Sequence, residues 1–229
     1  MKKLGLVGGM GPESTIPYYH DIVYGVQQKV GFFPALTIES VDVFRVLDLC
    51  KEEKYEELSN YLMEAVSHLA ASGADFAALS ANTPHIVFDE LQKRSPIPLV
   101  SILESTCEEV KRRRMTKVGL LGTIFTMEKD FFQIPFLRNQ IEIITPHANE
   151  KELVNRKIAG ELELGVVKDE TRAEFINIIN RMKREDQIQA VILGCTELPL
   201  LFQGTEPPIE CLDTMQIHIQ TLVDRILEN

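Results

Sequence analysis

The stretch KLGLVG at residues 3–8 recurs as KVGLLG at residues 117–122, and this repeat indicates how the chain is built. Both are short apolar runs of the kind that form buried strands. A second pair has the same spacing, because LSANT at residues 79–83 falls on LGCTE at residues 193–197, again 114 residues later. Two matches at one offset predict two similar halves.

Strand-like runs alternate with helical patterns along the whole chain. ADFAALS at residues 74–80 follows the amphipathic stretch 55–72, and other apolar runs are spaced in the same way. This alternation predicts βαβ units, and strands that are apolar throughout predict parallel sheets covered on both faces. We therefore expect an α/β fold of two similar parallel-sheet lobes, with the active site in the cleft between them. The expected lobes are residues 1–98 with 209–229, and residues 99–208.

Composition excludes several classes of protein. The net charge of -10 at pH 7 argues against a nucleic-acid partner, which requires a basic surface. No apolar run approaches the ~20 residues of a membrane span, and the N-terminus lacks a signal peptide's apolar region, so we expect a cytoplasmic protein. The five histidines show no metal-ligand spacing, so no metal site is expected. The cysteines form no C-x-x-C pair and are interpreted as reduced thiols; they are Cys50, Cys107, Cys195 and Cys211.

Ligands bind beyond the carboxyl ends of the strands in open parallel sheets. At the first such end, Met10 and Gly11 lie in a glycine-rich turn that allows the backbone to approach a small ligand. At the matching end in the second half, Thr123 and Thr126 lie near a predicted helix start. Hydroxyls and amides at such a position can hold a carboxylate.

Ala81 and Cys195 occupy equivalent positions at two further strand ends. Each is followed by small polar residues and then by a proline, which is tolerated in the first turn of a helix. A helix that starts there would lower the pKa of the Cys195 thiol. Cys195 is therefore the candidate catalytic residue, whereas the methyl group of Ala81 offers neither an acid nor a base. The other three cysteines are interpreted as inert.

Four motifs together resemble those of the cofactor-independent aspartate/glutamate racemase superfamily. They are GGMGPEST at residues 8–15, Asn-Thr-x-His at residues 82–85, LLGTxxTM at residues 120–127 and GCTEL at residues 194–198. The resemblance covers essentially the whole chain. It implies a pseudo-twofold α/β fold, a substrate in the interlobe cleft and no cofactor. In this family two cysteines, one per lobe, exchange protons on opposite faces of the substrate's α-carbon.

The resemblance carries over residue by residue only in part. Cys195 matches the second family cysteine, whereas Ala81 stands in the place of the first. The positions that match substrate-binding residues are Met10, Gly11, Asn82, Thr83, Thr123, Thr126, Thr196 and Glu197. The family also implies a small acidic amino acid as substrate, and a possible homodimer. A side-chain carboxylate would need a cation, for which Arg45 and Lys157 are candidates. Some aspartate racemases carry a lysine near the position of Glu163, and an acid there would repel such a carboxylate.

Ala81 leaves three functions open. The protein could be an asymmetric racemase or epimerase, in which Cys195 serves one face of the α-carbon, and water, Ser80, Thr83 or Glu13 serves the other. It could be a single-cysteine decarboxylase or other lyase, which protonates an enolate from one face. It could also be an inactive protein that binds a small carboxylate. We favour the racemase, because an activated thiol without a function is an oxidation liability.

Overall fold

The computed structural model describes residues 1–228, except for the side chains of Pro12 and Glu13, and shows two four-stranded parallel sheets. The strands are β1 Leu4–Gly8, β2 Leu36–Ser40, β3 Phe76–Leu79, β4 Leu99–Val100, β5 Lys117–Leu121, β6 Glu142–Ile144, β7 Val191–Leu193 and β8 Cys211–Asp213. The sheet orders are β2-β1-β3-β4 and β6-β5-β7-β8, and every pair is parallel. The predicted α/β class with two similar parallel sheets is confirmed.

Helices connect the strands throughout. The α-helices are α1 Pro12–Val30, α2 Val43–Lys51, α3 Tyr55–Ala71, α4 Phe88–Arg94, α5 Ile102–Arg112, α6 Ile124–Glu128, α7 Ile134–Arg138, α8 Ala148–Gly160, α9 Asp169–Arg181 and α10 Thr214–Leu227. Short 3₁₀ helices span Thr83–Val87, Asp130–Phe132, Leu162–Leu164 and Leu198–Phe202, and a π-helical turn spans Met182–Asp186. No helix within residues 1–228 is both long enough and apolar enough to cross a membrane.

The two sheets repeat each other in register as well as in order. Val7 pairs with Leu79 in the first sheet, and Leu121 pairs with Leu193 in the second. Each residue of the second pair lies 114 positions after its counterpart, which is the offset found in the sequence. Strands β1, β3 and β7 are buried along their whole length, as expected for central strands of parallel sheets covered on both faces.

The chain forms two compact units, which are residues 1–105 with 215–229, and residues 106–214. Both boundaries lie several residues after the positions 98 and 208 that we inferred from the sequence. The physical reason is strand pairing. Strand β4 pairs with β3 and so belongs to the first unit, and β8 pairs with β7 and so belongs to the second.

Helix α10 completes the core of the first unit. Its buried side chains pack with those of β1, α1 and β3 in one apolar cluster, to which α10 contributes Met215, Ile219, Leu222, Val223 and Ile226. Gly25 allows α1 and α10 to approach closely, because a Cβ there would lie 3.1 Å from Val223 Cγ2. The last helix therefore belongs to the first unit, although the whole second unit precedes it in the chain.

Two buried histidines link segments of the first unit. The Tyr18 hydroxyl donates to His218 Nδ1 at 2.7 Å, and His218 Nε2 donates to the Val100 carbonyl at 3.2 Å. His85 Nε2 accepts from the Ile102 amide at 3.2 Å, so Nδ1 carries the proton that is donated to the Ala81 carbonyl at 2.9 Å. Each ring is thus satisfied in its neutral form. Burial is the main cause that lowers the pKa of His85 to about 4 and that of His218 to about 3.

We predict that these two histidines make the folded protein less stable in weak acid. Their folded-state pKa values lie below the unfolded value, so the unfolded chain binds more protons once the pH falls below about 6.5. We expect the free energy of unfolding to fall by roughly 2 kcal/mol per histidine between pH 7 and pH 5. Urea unfolding measured across this range should show a shallower pH slope for His218→Gln than for the parent. Equal slopes for the parent and the variant would contradict the prediction.

Candidate active site

Two glycines shape the carboxyl edge of the second sheet. Gly122 follows β5 and Gly194 follows β7, and the Gly194 amide donates to the Leu121 carbonyl at 2.7 Å. A Cβ on Gly194 would lie 3.0 Å from that carbonyl oxygen and 3.3 Å from Thr126 Cγ2. A Cβ on Gly122 would lie 3.2 Å from the same threonine side chain. The edge is therefore close-packed, and it fixes the backbone that leads into Cys195.

The Cys195 thiol is hydrogen-bonded to a carboxylate. Cys195 is half-buried, and its Sγ donates to Glu197 Oε2 at 2.9 Å. The other carboxylate oxygen, Glu197 Oε1, accepts from the Thr196 hydroxyl at 2.8 Å. Three consecutive residues thus form one hydrogen-bonded unit, in which Thr196 orients the carboxylate and the carboxylate holds the thiol proton.

The expectation of a lowered Cys195 pKa is wrong. Burial raises the pKa of this thiol well above its usual value, and the charge and hydrogen bond of Glu197 and the charge of Glu163 raise it further. A hydrogen bond from the Glu197 amide acts in the opposite direction. The helix that follows is a five-residue 3₁₀ helix that begins only at Leu198, so its dipole is too small to offset burial and two acids.

Glu163 adds a second negative charge to this region. It lies in the 3₁₀ helix Leu162–Leu164, between α8 and α9, and its charge acts on the Cys195 thiol. The residue as a whole is exposed, but its carboxyl group is partly desolvated. This desolvation raises the pKa of Glu163, and the charge of Glu197 raises it further. The thiol therefore sits in an acidic environment.

The predicted anion-binding turn after β5 is largely satisfied within the protein. Thr123 is the N-cap of α6, where its hydroxyl accepts from the Thr126 amide at 3.3 Å. The Ile124 amide donates to Asn155 Oδ1 at 2.9 Å. Thr126 is fully buried, and its hydroxyl lies 3.2 Å from that of Thr123. Thr126 thus supports the strand edge, whereas Thr123 is partly exposed and better placed to meet a ligand.

The end of β3 in the first unit corresponds to the end of β7, but it carries no thiol; the turn that follows it at residues 80–83 is called the Ala81 corner. Ala81 is partly exposed, and its carbonyl accepts from His85. Asn82 is the buried N-cap of the 3₁₀ helix Thr83–Val87, in which Thr83 is the first residue. The corner thus keeps its polar side chains and its buried histidine support, and lacks only the reactive group.

The glycine-rich turn after β1 also lies in the first unit. Met10 is buried, and Gly11 has a φ of 107°, which favours glycine. The Thr15 hydroxyl accepts from the Gly9 amide and donates to the Gly11 carbonyl, each at 3.0 Å. Among the side chains that the structure describes, Ser14 Oγ is the nearest to a Cβ built on Gly11 outside its chain neighbours, at 3.8 Å. The Glu13 side chain, a candidate acid, lies outside the described residues.

The two candidate cations have other partners. Arg45 is exposed on α2, and its guanidinium lies 4.2 Å from the centre of the Tyr61 ring. Lys157 lies 3.2 Å from carboxylate oxygens of both Glu161 and Glu174, and donates to the Thr171 hydroxyl at 3.1 Å. Its ammonium group thus joins α8 to α9, and a substrate carboxylate would have to compete with two acids of the protein.

A profile of the Asp/Glu/Hydantoin racemase family matches residues 7–222. The chain belongs to this family. The broad specificity amino-acid racemase RacX of Bacillus subtilis (strain 168) is 25% identical over 218 residues, which are 92% of each chain. A solved structure from Yersinia pestis, assigned as an Asp/Glu racemase, is 33% identical with a TM-score of 0.93. An aspartate racemase homologue from Pyrococcus horikoshii OT3 is 36% identical with a TM-score of 0.86. Both structural matches cover 100% of each chain.

The membership in this racemase family confirms the resemblance read from the four motifs.

Other features of the site were not predicted from the sequence. His85 was visible only as the last residue of the Asn-Thr-x-His motif, with no indication that it supports Ala81 and Ile102. Asn155 lies inside α8, where no local pattern marks it as the partner of the Ile124 amide.

From the contact between Cys195 and Glu197 we predict how the reactivity of the thiol depends on pH. Replacing Glu197 by Gln removes a negative charge that raises the Cys195 pKa, so we expect this pKa to fall. Alkylation by iodoacetamide, followed at each cysteine by mass spectrometry from pH 6 to pH 10, should shift to lower pH at Cys195 in the variant. Cys211 is an internal control, because burial and Asp213 raise its pKa to about 11 independently of Glu197. Rapid alkylation of Cys195 at pH 7 in the parent would contradict the raised pKa.

Proposed function

We propose that this chain is a cofactor-independent amino-acid racemase or epimerase, in which Cys195 transfers a proton at the α-carbon of a small amino acid. The observation that carries the proposal is the 2.9 Å hydrogen bond from Cys195 Sγ to Glu197 Oε2. It places a proton acceptor on the only group in this motif that can become a strong carbon base. Family membership supports the same reaction class.

The proposed proton path is short. Glu197 accepts the thiol proton, which leaves a thiolate on Cys195. The thiolate then removes the α-proton, so that the C–H bond breaks, an S–H bond forms and the electron pair moves into the substrate carboxylate. The raised pKa of Cys195 makes the thiolate more costly to form, and it also makes that thiolate a stronger base towards a weakly acidic carbon proton. Thr196 keeps the Glu197 carboxylate oriented through its hydrogen bond.

The substrate must be held by its own carboxylate while this happens. In the second unit, we assign this role to Thr123, which is partly exposed at the start of α6. In the first unit, we assign it to the polar pair Asn82 and Thr83 and to the glycine-rich turn at Met10 and Gly11. The chemistry acts on the α-carbon that all amino acids share. The expectation of an acidic side chain therefore rests on the resemblance alone.

Ala81 favours one alternative function. With no acid or base at this corner, a one-sided reaction is also consistent with the chain, such as decarboxylation followed by protonation of the enolate from Cys195. Release of CO₂ from an α-substituted malonate would identify this lyase. α-Proton exchange without loss of carbon would identify the racemase.

Two expectations about the cellular setting belong to the same proposal. A cytoplasmic location is supported by the four cysteines, none of which forms a disulfide among the described residues, and by the need to keep Cys195 reduced. A homodimer is supported by an exposed aromatic group in the first unit, where the rings of Tyr24 and Phe33 pack edge to face.

The first test of this function replaces Cys195 by Ala. We expect α-proton exchange in D₂O, followed by proton NMR over a panel of amino acids, to fall by about 10²-fold or more, because the acid/base group is lost. Cys211→Ala removes the other half-buried thiol and should leave exchange unchanged. Circular dichroism should show that both variants are folded. Exchange at the parent rate in the Cys195 variant would rule out the assignment.

The second test restores a thiol at the vacant corner with Ala81→Cys. In the parent, Cys195 should exchange the α-proton of one enantiomer faster than it inverts that enantiomer, because the returning proton comes from the same face. The variant should increase inversion more than exchange, by up to the ~10² to 10⁴-fold typical of a positioned acid or base. Polarimetry measures inversion and proton NMR measures exchange. Equal inversion of both enantiomers by the parent would mean that another residue already serves the second face.

A further inference from the structure

We infer that Arg172 is a positioning residue for the proposed reaction, because its guanidinium holds the helix that sets the place of Glu197 beside Cys195. This inference rests on the proposed function and adds to it a residue outside the reacting groups. Arg172 lies in the first turn of α9, and its Nε donates to the Leu201 carbonyl at 2.7 Å. Leu201 belongs to the 3₁₀ helix Leu198–Phe202, which directly follows the reacting turn in the same unit.

Glu197 is joined to this helix through its backbone. It is the N-cap residue, and its carbonyl accepts from the Leu200 amide at 3.1 Å. The Cys195 carbonyl accepts from the Leu198 amide at 3.2 Å. The helix and the reacting turn therefore share backbone hydrogen bonds, so a rotation of the helix moves the backbone of Glu197. The 2.9 Å contact between Cys195 Sγ and Glu197 Oε2 depends on that placement.

Burial fixes one face of the helix. Leu198 and Leu201 are fully buried, and residues three positions apart lie one above the other on a 3₁₀ helix. A single row of side chains permits the helix to roll about that row. Carbonyl groups in the last turn have no partner within a helix, and Arg172 supplies one from α9 through a charge-assisted hydrogen bond. The arginine thereby restrains the rotation that the two leucines permit.

The arginine itself projects from a fixed base. Its side chain is only 24% exposed, and its Nη1 donates to Asp169 Oδ1 at 2.7 Å. The neighbouring Thr171 is fully buried, donates its hydroxyl proton to Glu161 and accepts from Lys157 at 3.1 Å. These contacts join the start of α9 to the end of α8. The position of the guanidinium is therefore set by two helices of the second unit.

Replacing Arg172 by Met keeps an apolar stem but removes the donor to Leu201. α-Proton exchange of L-alanine, L-glutamate and L-lysine is followed in D₂O by proton NMR, and the fastest of the three is used to compare variants. We expect kcat to fall roughly tenfold with little change in KM, because a small displacement of a reacting group slows the chemical step. Arg172→Lys should recover most of this loss, since an ammonium group can donate to the same carbonyl.

Two controls separate positioning from general stability. Lys183→Met removes another hydrogen bond from a cation to a carbonyl in the same unit, from Lys183 Nζ to Pro208 at 2.9 Å. Asp169→Asn weakens the other contact of the Arg172 guanidinium and leaves the donor to Leu201 in place. Both variants should exchange α-protons at the parent rate. Circular dichroism should show that all the variants are folded.

A double-mutant cycle tests whether Arg172 acts through Glu197. Arg172→Met introduced into Glu197→Gln should cause little further loss of kcat, because the carboxylate that it positions is already absent. Alkylation of Cys195 by iodoacetamide at increasing pH gives a second measurement, which needs no turnover. Its profile should shift to lower pH in Arg172→Met, because the Glu197 carboxylate no longer lies against the thiol. The double variant should show no further shift beyond that of Glu197→Gln.

The possible outcomes separate the two proposals. An unchanged kcat in Arg172→Met, an equal loss in Lys183→Met, no recovery in Arg172→Lys, or losses that multiply in the double variant would each overturn the positioning role and leave the racemase proposal standing. Absence of exchange by the parent with all three amino acids would overturn the proposed function. The alkylation profiles would then still decide whether Arg172 holds Glu197 against Cys195.

Discussion

Parallel pairing of a central apolar strand with a neighbour on each side is the constraint on which the rest of this protein depends. In the first unit β1 lies between β2 and β3, and in the second β5 lies between β6 and β7. Because such strands are covered on both faces, they leave no room for reactive side chains along their length. Polar chemistry is thereby confined to the turns at the carboxyl edges, where Ala81 and Cys195 both occur. The duplicated pairing places these two turns at matching strand ends, and their side chains differ.

The turn that carries Cys195 has a rigid backbone, and its electrostatic environment disfavours the ionised form of the thiol. Gly122 and Gly194 permit contacts with Thr126 that no larger residue would allow, so the backbone beneath the thiol is fixed. Above it, burial and two carboxylates hold the sulfur in its protonated form. A thiol of this kind is poorly suited to attack as a resting nucleophile. It is better suited to giving and taking a proton with a partner at hand, which is what Glu197 provides.

The sequence predicted the large features of this fold better than the small ones. The parallel strands and their repetition in two similar halves followed from apolar runs repeated at one offset, a signal spread over many residues, whereas the order of the strands in each sheet was not predicted. The lobe boundaries were less accurate, because β4 and β8 have only two and three residues and the sequence does not show with which sheet they pair. The direction of the Cys195 pKa was missed for a different reason. The pKa is raised mainly by burial, which the residues around the cysteine do not reveal, then by Glu197, and to a smaller extent by Glu163, which is distant in the chain.

The position of α10 has a consequence for how the chain is made. The first unit is interrupted by the second, and five side chains of the apolar cluster described above belong to α10. During synthesis on the ribosome, residues 106–214 are therefore complete before the first unit can bury Leu4, Leu6 and Tyr18 against α10. The first unit therefore begins before the second unit but is completed after it, and its apolar surface stays exposed until α10 has been synthesised.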